Sequence, residues 1–191
     1  MKKDRPDLEV RWRAFELRPE PAPNKSPDDD YLKRVWEQSV YPMSERLGVL
    51  LRKPPVRPRS RLAHQTALWA RREGRFEEMN TALFRAFFED GRDIGEAEVL
   101  GELADTIGLD KGDLTRSLES HDQLDAVLAD EATAARYGLT GVPAFVAGGA
   151  VLFGVQPRDG LGKLLEFAAQ NQDAAPPAGP LAQLPMRLRH F

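Results

Sequence analysis

From Arg59 to Gly138 the apolar residues of this chain recur at helical three- and four-residue steps, and then the period changes to that of strands. Ala144–Ala147 and Ala150–Phe153 flank Gly148-Gly149, a pair suited to the positive φ angles of a two-residue hairpin turn. A strand pattern also opens the chain. Leu8, Val10, Trp12 and Ala14 alternate with Glu9, Arg11 and Arg13, as a half-buried strand over Leu8–Phe15 requires. The order strand, long helical block, hairpin, helix predicts an α/β domain with an all-helical insertion.

Residues 18–25 hold three prolines and read as a loop. A helix is then expected from Ser26 as N-cap, with Pro27 at its first position and Asp28 and Asp29 in its first turn. Tyr31, Leu32, Val35, Trp36 and Val40 form its apolar stripe, and Pro42 is expected to kink or end it. Further helices are expected at about 59–73, 76–88, 96–107, 110–118 and 122–137, with glycines 74, 108 and 138 as stops. Met79, Leu83, Phe84 and Phe87 are assigned inward on the second of these, and Leu124, Val127, Leu128 and Ala135 on the last. Asp159–Ala169 closes the domain as a helix, and residues 173–191, rich in Pro and Ala, read as a loose tail.

A chain of 191 residues with 41% hydrophobic content has material for one sizeable core. Its formal charge of -3 lacks the basic excess of a nucleic-acid binder. No run of eighteen apolar residues is present to span a membrane, and the N-terminus lacks the apolar stretch of a secretory signal, so the expected compartment is the cytoplasm with neither membrane nor nucleic acid as partner. Zero cysteines remove disulfides, thiolate metal sites and thiol nucleophiles together. His64, His121 and His190 are too scattered for a metal site, and no cofactor is expected. His64, Trp36 and Trp69 read as core or boundary residues, Asp28–Asp30 as a helix-start charge cluster, and Gly91–Gly95 as a helix-to-helix turn.

Several segments taken in order resemble the DsbA-like family of thioredoxin-fold proteins, in particular its cytoplasmic branch. They are Trp12-Arg13-Ala14-Phe15-Glu16-Leu17, Ser60-Arg61-Leu62-Ala63-His64, Leu83-Phe84-Arg85-Ala86-Phe87-Phe88 and Gly91-Arg92-Asp93-Ile94-Gly95, followed by Gly141-Val142-Pro143, the hairpin and Gly154-Val155-Gln156-Pro157. The resemblance implies a thioredoxin-like fold over residues 8–172, with a helical insertion at about 27–121. It also implies a substrate-facing loop at Gly141, Val142 and Pro143, where the proline is typically cis and the residue before it pairs with an extended peptide. In the family a strand and a Cys-x-x-Cys helix precede the segment that corresponds to Leu8. Only seven residues stand before Leu8 here, so the first, central strand is expected to be missing. A late start codon, a truncation repaired by repacking or dimerisation, and a degenerate gene are the competing explanations.

The resulting expectation is a member of the disulfide oxidoreductase family that is redox-inactive as a cysteine-free chain, because exchange requires an attacking thiolate. The alternatives are a glutathione- or small-molecule-binding relative like the isomerase branch of the fold, and a non-enzymatic peptide-binding module. An extended peptide or a small thiol is the expected substrate class, and a homodimer is one way to cover the vacant strand position.

Overall fold

Asp29, rather than Ser26, caps the first helix. Its carboxylate accepts from the amides of Tyr31 and Leu32, while the Ser26 hydroxyl accepts from Asp28 N–H and closes a turn before the helix starts. The computed structural model describes residues 5–23 and 26–171. Its elements are α1 (Asp30–Val35), a π-helical turn (Trp36–Val40), α2 (Tyr41–Leu47), α3 (Arg61–Arg72), α4 (Phe76–Phe88), α5 (Ala97–Thr106), α6 (Lys111–Ser120), α7 (Leu124–Arg136), β1 (Ala144–Ala147), β2 (Ala150–Phe153) and α8 (Arg158–Gln170). The tail expected from residue 173 lies outside the described residues. The chain divides into two units, residues 18–127 and residues 1–17 with 128–191.

In the helical unit Pro42, expected to kink or end the first rod, does not end it. A proline lacks the N–H that an α-helix would send to the carbonyl four residues back, and its ring crowds that carbonyl. The backbone widens just before it: the Tyr41 amide reaches back five residues to the Trp36 carbonyl, and the helix continues to Leu47. Gly48, in the left-handed region at φ 64°, then stops it. Trp36 is buried and meets Tyr41 edge-on at 5.4 Å and Phe88 at 6.2 Å.

The rest of this unit is a bundle of α3 to α6 around Ala63, Trp69, Ala70, Met79, Leu83, Ala86, Leu100, Leu103, Ala104, Leu114 and Leu118. Met79, Leu100 and Leu114 are fully buried, each worth about 1.5–3 kcal/mol in transfer from water. Phe84 departs from the expected inward face, being 53% exposed. Met79, Leu83 and Ala86 supply the buried stripe of α4 instead, and Phe84 stacks along the surface on Phe88 one turn later. Arg59 ties the preceding loop to the start of α3, donating to the carbonyls of Arg18 and Ala22 at 2.7 Å each.

In the other unit β1 and β2 form an antiparallel hairpin with Ala144 opposite Phe153 and Ala147 opposite Ala150. Phe145, Ala147, Ala150 and Leu152 face α8 and close on Leu164. Gly148 turns the hairpin at φ +54° directly against α8, where any Cβ would lie 2.5 Å from Ala168 Cα.

The strand expected over Leu8–Phe15 does not form. The segment forms no regular element, and among the described residues the only strands are β1 and β2, which pair with each other. Consequently Val10 and Trp12 are exposed rather than inward, and Ala14 is the one member of that face that is buried. A side chain replaces the missing ladder: Asp130 of α7, itself buried, accepts from Ala14 N–H at 2.9 Å and from Arg13 Nη1 at 2.9 Å. The stripe of α7 is therefore Val127, Asp130 and Ala134, not the expected Leu128 and Ala135, which are exposed.

Candidate functional site

The residues singled out as substrate-facing, Gly141, Val142 and Pro143, form the connection from α7 into β1. The Val142–Pro143 peptide is cis. The Pro143 carbonyl is occupied, accepting from Gly154 N–H at 2.8 Å, which continues the hairpin ladder by one step. Val142 differs: the residue is 53% exposed, and among the described residues no hydrogen bond reaches its N–H or carbonyl. Beyond Pro143, β1 is paired on the β2 side alone among the described residues.

The hairpin's second face carries Ala144, Val146, Val151 and Phe153, opposite the face that α8 covers. Val151 is buried, whereas Val146 and Phe153 are exposed, as are Val142 and Val155. Gln156 braces the exit of the hairpin by donating from Nε2 to the Phe153 carbonyl. The site is thus a length of unpaired main chain bordered by exposed apolar side chains.

Its electrostatics are plain. From Leu139 to Pro157 there is no ionisable side chain and no thiol. General acid–base work needs a titratable group at the reacting atoms, and the one hydroxyl in the segment, on Thr140, has no titratable neighbour within it to activate it as a nucleophile. What these residues offer is main-chain hydrogen bonding and apolar contact. On the α8 side, Ala150, Leu152, Gln156, Gly160, Lys163, Leu164 and Phe167 line a cavity of about 20 Å³, room for one water molecule. Among the described residues no cluster of three His, Asp or Glu side chains is placed to hold a metal ion. A carboxylate shift lies outside the site, in the helical unit. Burial works to raise the Asp122 carboxyl, but the Ser117 hydroxyl and the Arg72 guanidinium outweigh it and hold the pKa below the ordinary value.

Asp130 escaped the sequence reading. Its signal was available, because Val127, Asp130 and Ala134 stand at i, i+3 and i+7 and place a carboxylate on a buried helix face. A buried carboxylate calls for partners, and the Ala14 amide and the Arg13 guanidinium supply them.

A hairpin backed by a helix, entered through Gly-Val-Pro and preceded in sequence by a long helical block, defines a thioredoxin-like domain with a helical insertion. The chain belongs to the DsbA-like thioredoxin family, whose domain model matches residues 1–166. Among individual proteins it is similar to the uncharacterized protein YwbO of Bacillus subtilis, with 35% identity over 159 residues, covering 80% of this chain and 78% of YwbO. It is also similar to the crystal structure of a probable DsbA oxidoreductase from Streptomyces coelicolor, with a TM-score of 0.65 and 26% identity, covering 88% of this chain and 77% of that one.

Proposed function

We propose that this cysteine-free chain serves the DsbA-like family's peptide-holding role without its redox step, taking an extended polypeptide at Gly141, Val142 and Pro143. The observation that carries the reading is the exposed residue Val142, its N–H and carbonyl free of hydrogen bonds among the described residues, at the entry to β1. An extended segment laid along that backbone exchanges main-chain hydrogen bonds with it, and Val142, Val146 and Phe153 give apolar contact to alternate side chains. Thiol-disulfide exchange proceeds by thiolate attack on a disulfide sulfur, and these 191 residues contain no cysteine.

Two measurements on the same sample test this. In a turbidity assay of insulin reduction by dithiothreitol, the chain is expected to leave the rate at that of the buffer. In fluorescence anisotropy, it is expected to bind a labelled, cysteine-free extended peptide. A version of the peptide N-methylated on its backbone is expected to bind more weakly, because methylation removes donors and leaves the side chains intact. Catalysed insulin reduction, or binding indifferent to N-methylation, overturns the reading.

A further inference from the structure

We infer that residues 184–188 of this chain pair with the free edge of β1 as a third, antiparallel strand, which an incoming peptide must displace. The inference rests on the reading of Val142 and β1 as a receiver of extended chain, and it gives that edge a resident occupant.

The direction of the main chain is the first observation. The Pro143 carbonyl accepts from Gly154 N–H, and the register sets Phe145 opposite Leu152 and Ala147 opposite Ala150. Alternate residues of a strand turn their N–H and carbonyl to the same side, so Pro143, Phe145 and Ala147 address β2. Ala144 and Val146 address the other side, where β1 has no partner among the described residues. Such an edge is ordinarily charged, bulged or covered. From Leu139 to Pro157 there is no charged side chain to protect this one.

Sequence phase is the second. Residues 172–191 lie outside the described residues. Within them Leu184, Met186 and Leu188 alternate with Pro185, Arg187 and Arg189, the period of a strand. Pro185 fixes which phase can pair. A proline has no N–H to give, so it fits only where the main chain points away from the neighbouring strand. With Pro185 outward, the main chain of Leu184, Met186 and Leu188 turns toward β1. Residues directly opposite in an antiparallel pair share a face. Pairing Leu184 with Val146 and Met186 with Ala144 therefore sets both on the hairpin's second face, beside exposed Val146 and Phe153. Arg187 and Arg189 fall on the opposite face. The hydrogen-bonding phase and the apolar phase thus select the same alignment.

Reach is the third. An added Cβ at Gly148 would lie 2.5 Å from Ala168 Cα, so α8 ends beside the hairpin turn, and Asn171 follows Ala168 within one helical turn. Residues 172–183 can span up to about 40 Å, whereas the edge from Ala147 to Val142 is about 17 Å long. The segment arrives at the Ala147 end and runs toward Val142, which is the antiparallel sense. Tail and hairpin belong to the same unit. A tether of this length holds the segment at an effective concentration on the order of a millimolar, which favours it over a second copy of the chain in dilute solution.

Amide hydrogen exchange of the full, ¹⁵N-labelled chain tests this. Met186→Pro removes a donor aimed at β1, so the Ala144 and Val146 amides should exchange about five- to tenfold faster than in the parent. Arg187→Pro, where the N–H points away from β1, should change them by less than about twofold. A cysteine-free extended peptide should bind Met186→Pro about five- to tenfold more tightly than the parent, the competing strand having been weakened by that factor. In this cysteine-free chain, Ala144→Cys with Met186→Cys should oxidise to a disulfide within one chain, since opposite Cα atoms of a hydrogen-bonded pair stand about 5.5 Å apart. Exchange indifferent to Met186→Pro, or equally raised by Arg187→Pro, overturns the inference. Crosslinking between chains rather than within one also overturns it, assigning the edge to a second copy. Peptide-induced shifts at Val142 in a chain whose exchange ignores Met186→Pro would overturn the third strand alone and leave the peptide-holding reading standing. Faster exchange in Met186→Pro with no peptide binding would do the reverse.

Discussion

Replacing Gly148 by alanine should detach α8 from the hairpin, and two separable effects set the size of the loss. Gly148 sits at φ +54°, in the left-handed region, and an added Cβ would lie 2.5 Å from Ala168 Cα, 3.0 Å from Ala168 Cβ and 3.3 Å from its N. These neighbours include helix backbone, which cannot rotate away as a side-chain tip can. The left-handed conformation costs about 1–2 kcal/mol for a non-glycine residue. Forcing the helix outward adds about 1–3 kcal/mol. The expected total is about 2–5 kcal/mol. Gly154→Ala is the control, because Gly154 has φ +75° but nothing within 4 Å of its added Cβ. It should therefore show the conformational cost alone. A two-stranded hairpin is marginal without a packed face, so the loss should appear locally as well. Urea denaturation of both variants, with amide exchange across β1 and β2, measures the difference. Equal losses for Gly148→Ala and Gly154→Ala would refute the close approach of turn and helix.

Asp130→Ala should strand the buried Ala14 amide and release Arg13, at a cost of about 1–3 kcal/mol. Trypsin should then cleave at Arg11 and Arg13 faster than in the parent chain. Asp122 has a folded-state pKa below its ordinary value, so its stabilisation is fully present above the unfolded carboxyl pKa and is lost as pH falls through the folded one. Asp122→Asn should accordingly lower the melting temperature at neutral pH, and that difference should shrink on acidification below about pH 4. Thr66 is fully buried and its hydroxyl oxygen has no partner among the described residues. Thr66→Val, of equal shape, should be neutral or stabilise by up to about 1 kcal/mol in thermal denaturation.

Much of this architecture is legible in the residues because local rules and tertiary packing agree. Met79 to Leu83 and the glycine stops at Gly74 and Gly108 fall where helical period and left-handed capping place them. The hairpin follows from Gly148-Gly149 between two apolar runs. Agreement fails where a residue's fate depends on a distant partner. Alternation at Leu8–Phe15 states a preference for extended chain, but a strand also needs a neighbour, and among the described residues the segment meets a carboxylate instead. Pro42 reads as a kink or a helix end, and what precedes it is a π turn that starts at Trp36, which packs on Phe88. At the candidate site, Gly141-Val142-Pro143 is visible in sequence. The unpaired Val142 backbone is not, since it depends on which edge of β1 the hairpin uses.

The central claim, an extended chain received on the Val142 backbone, is tested most directly by amide chemical shifts of the ¹⁵N-labelled protein titrated with a cysteine-free extended peptide. Saturable changes are expected at Gly141, Val142 and the amides of β1, with α3 to α6 unmoved. Saturable binding with those amides unshifted and the changes located elsewhere would contradict it.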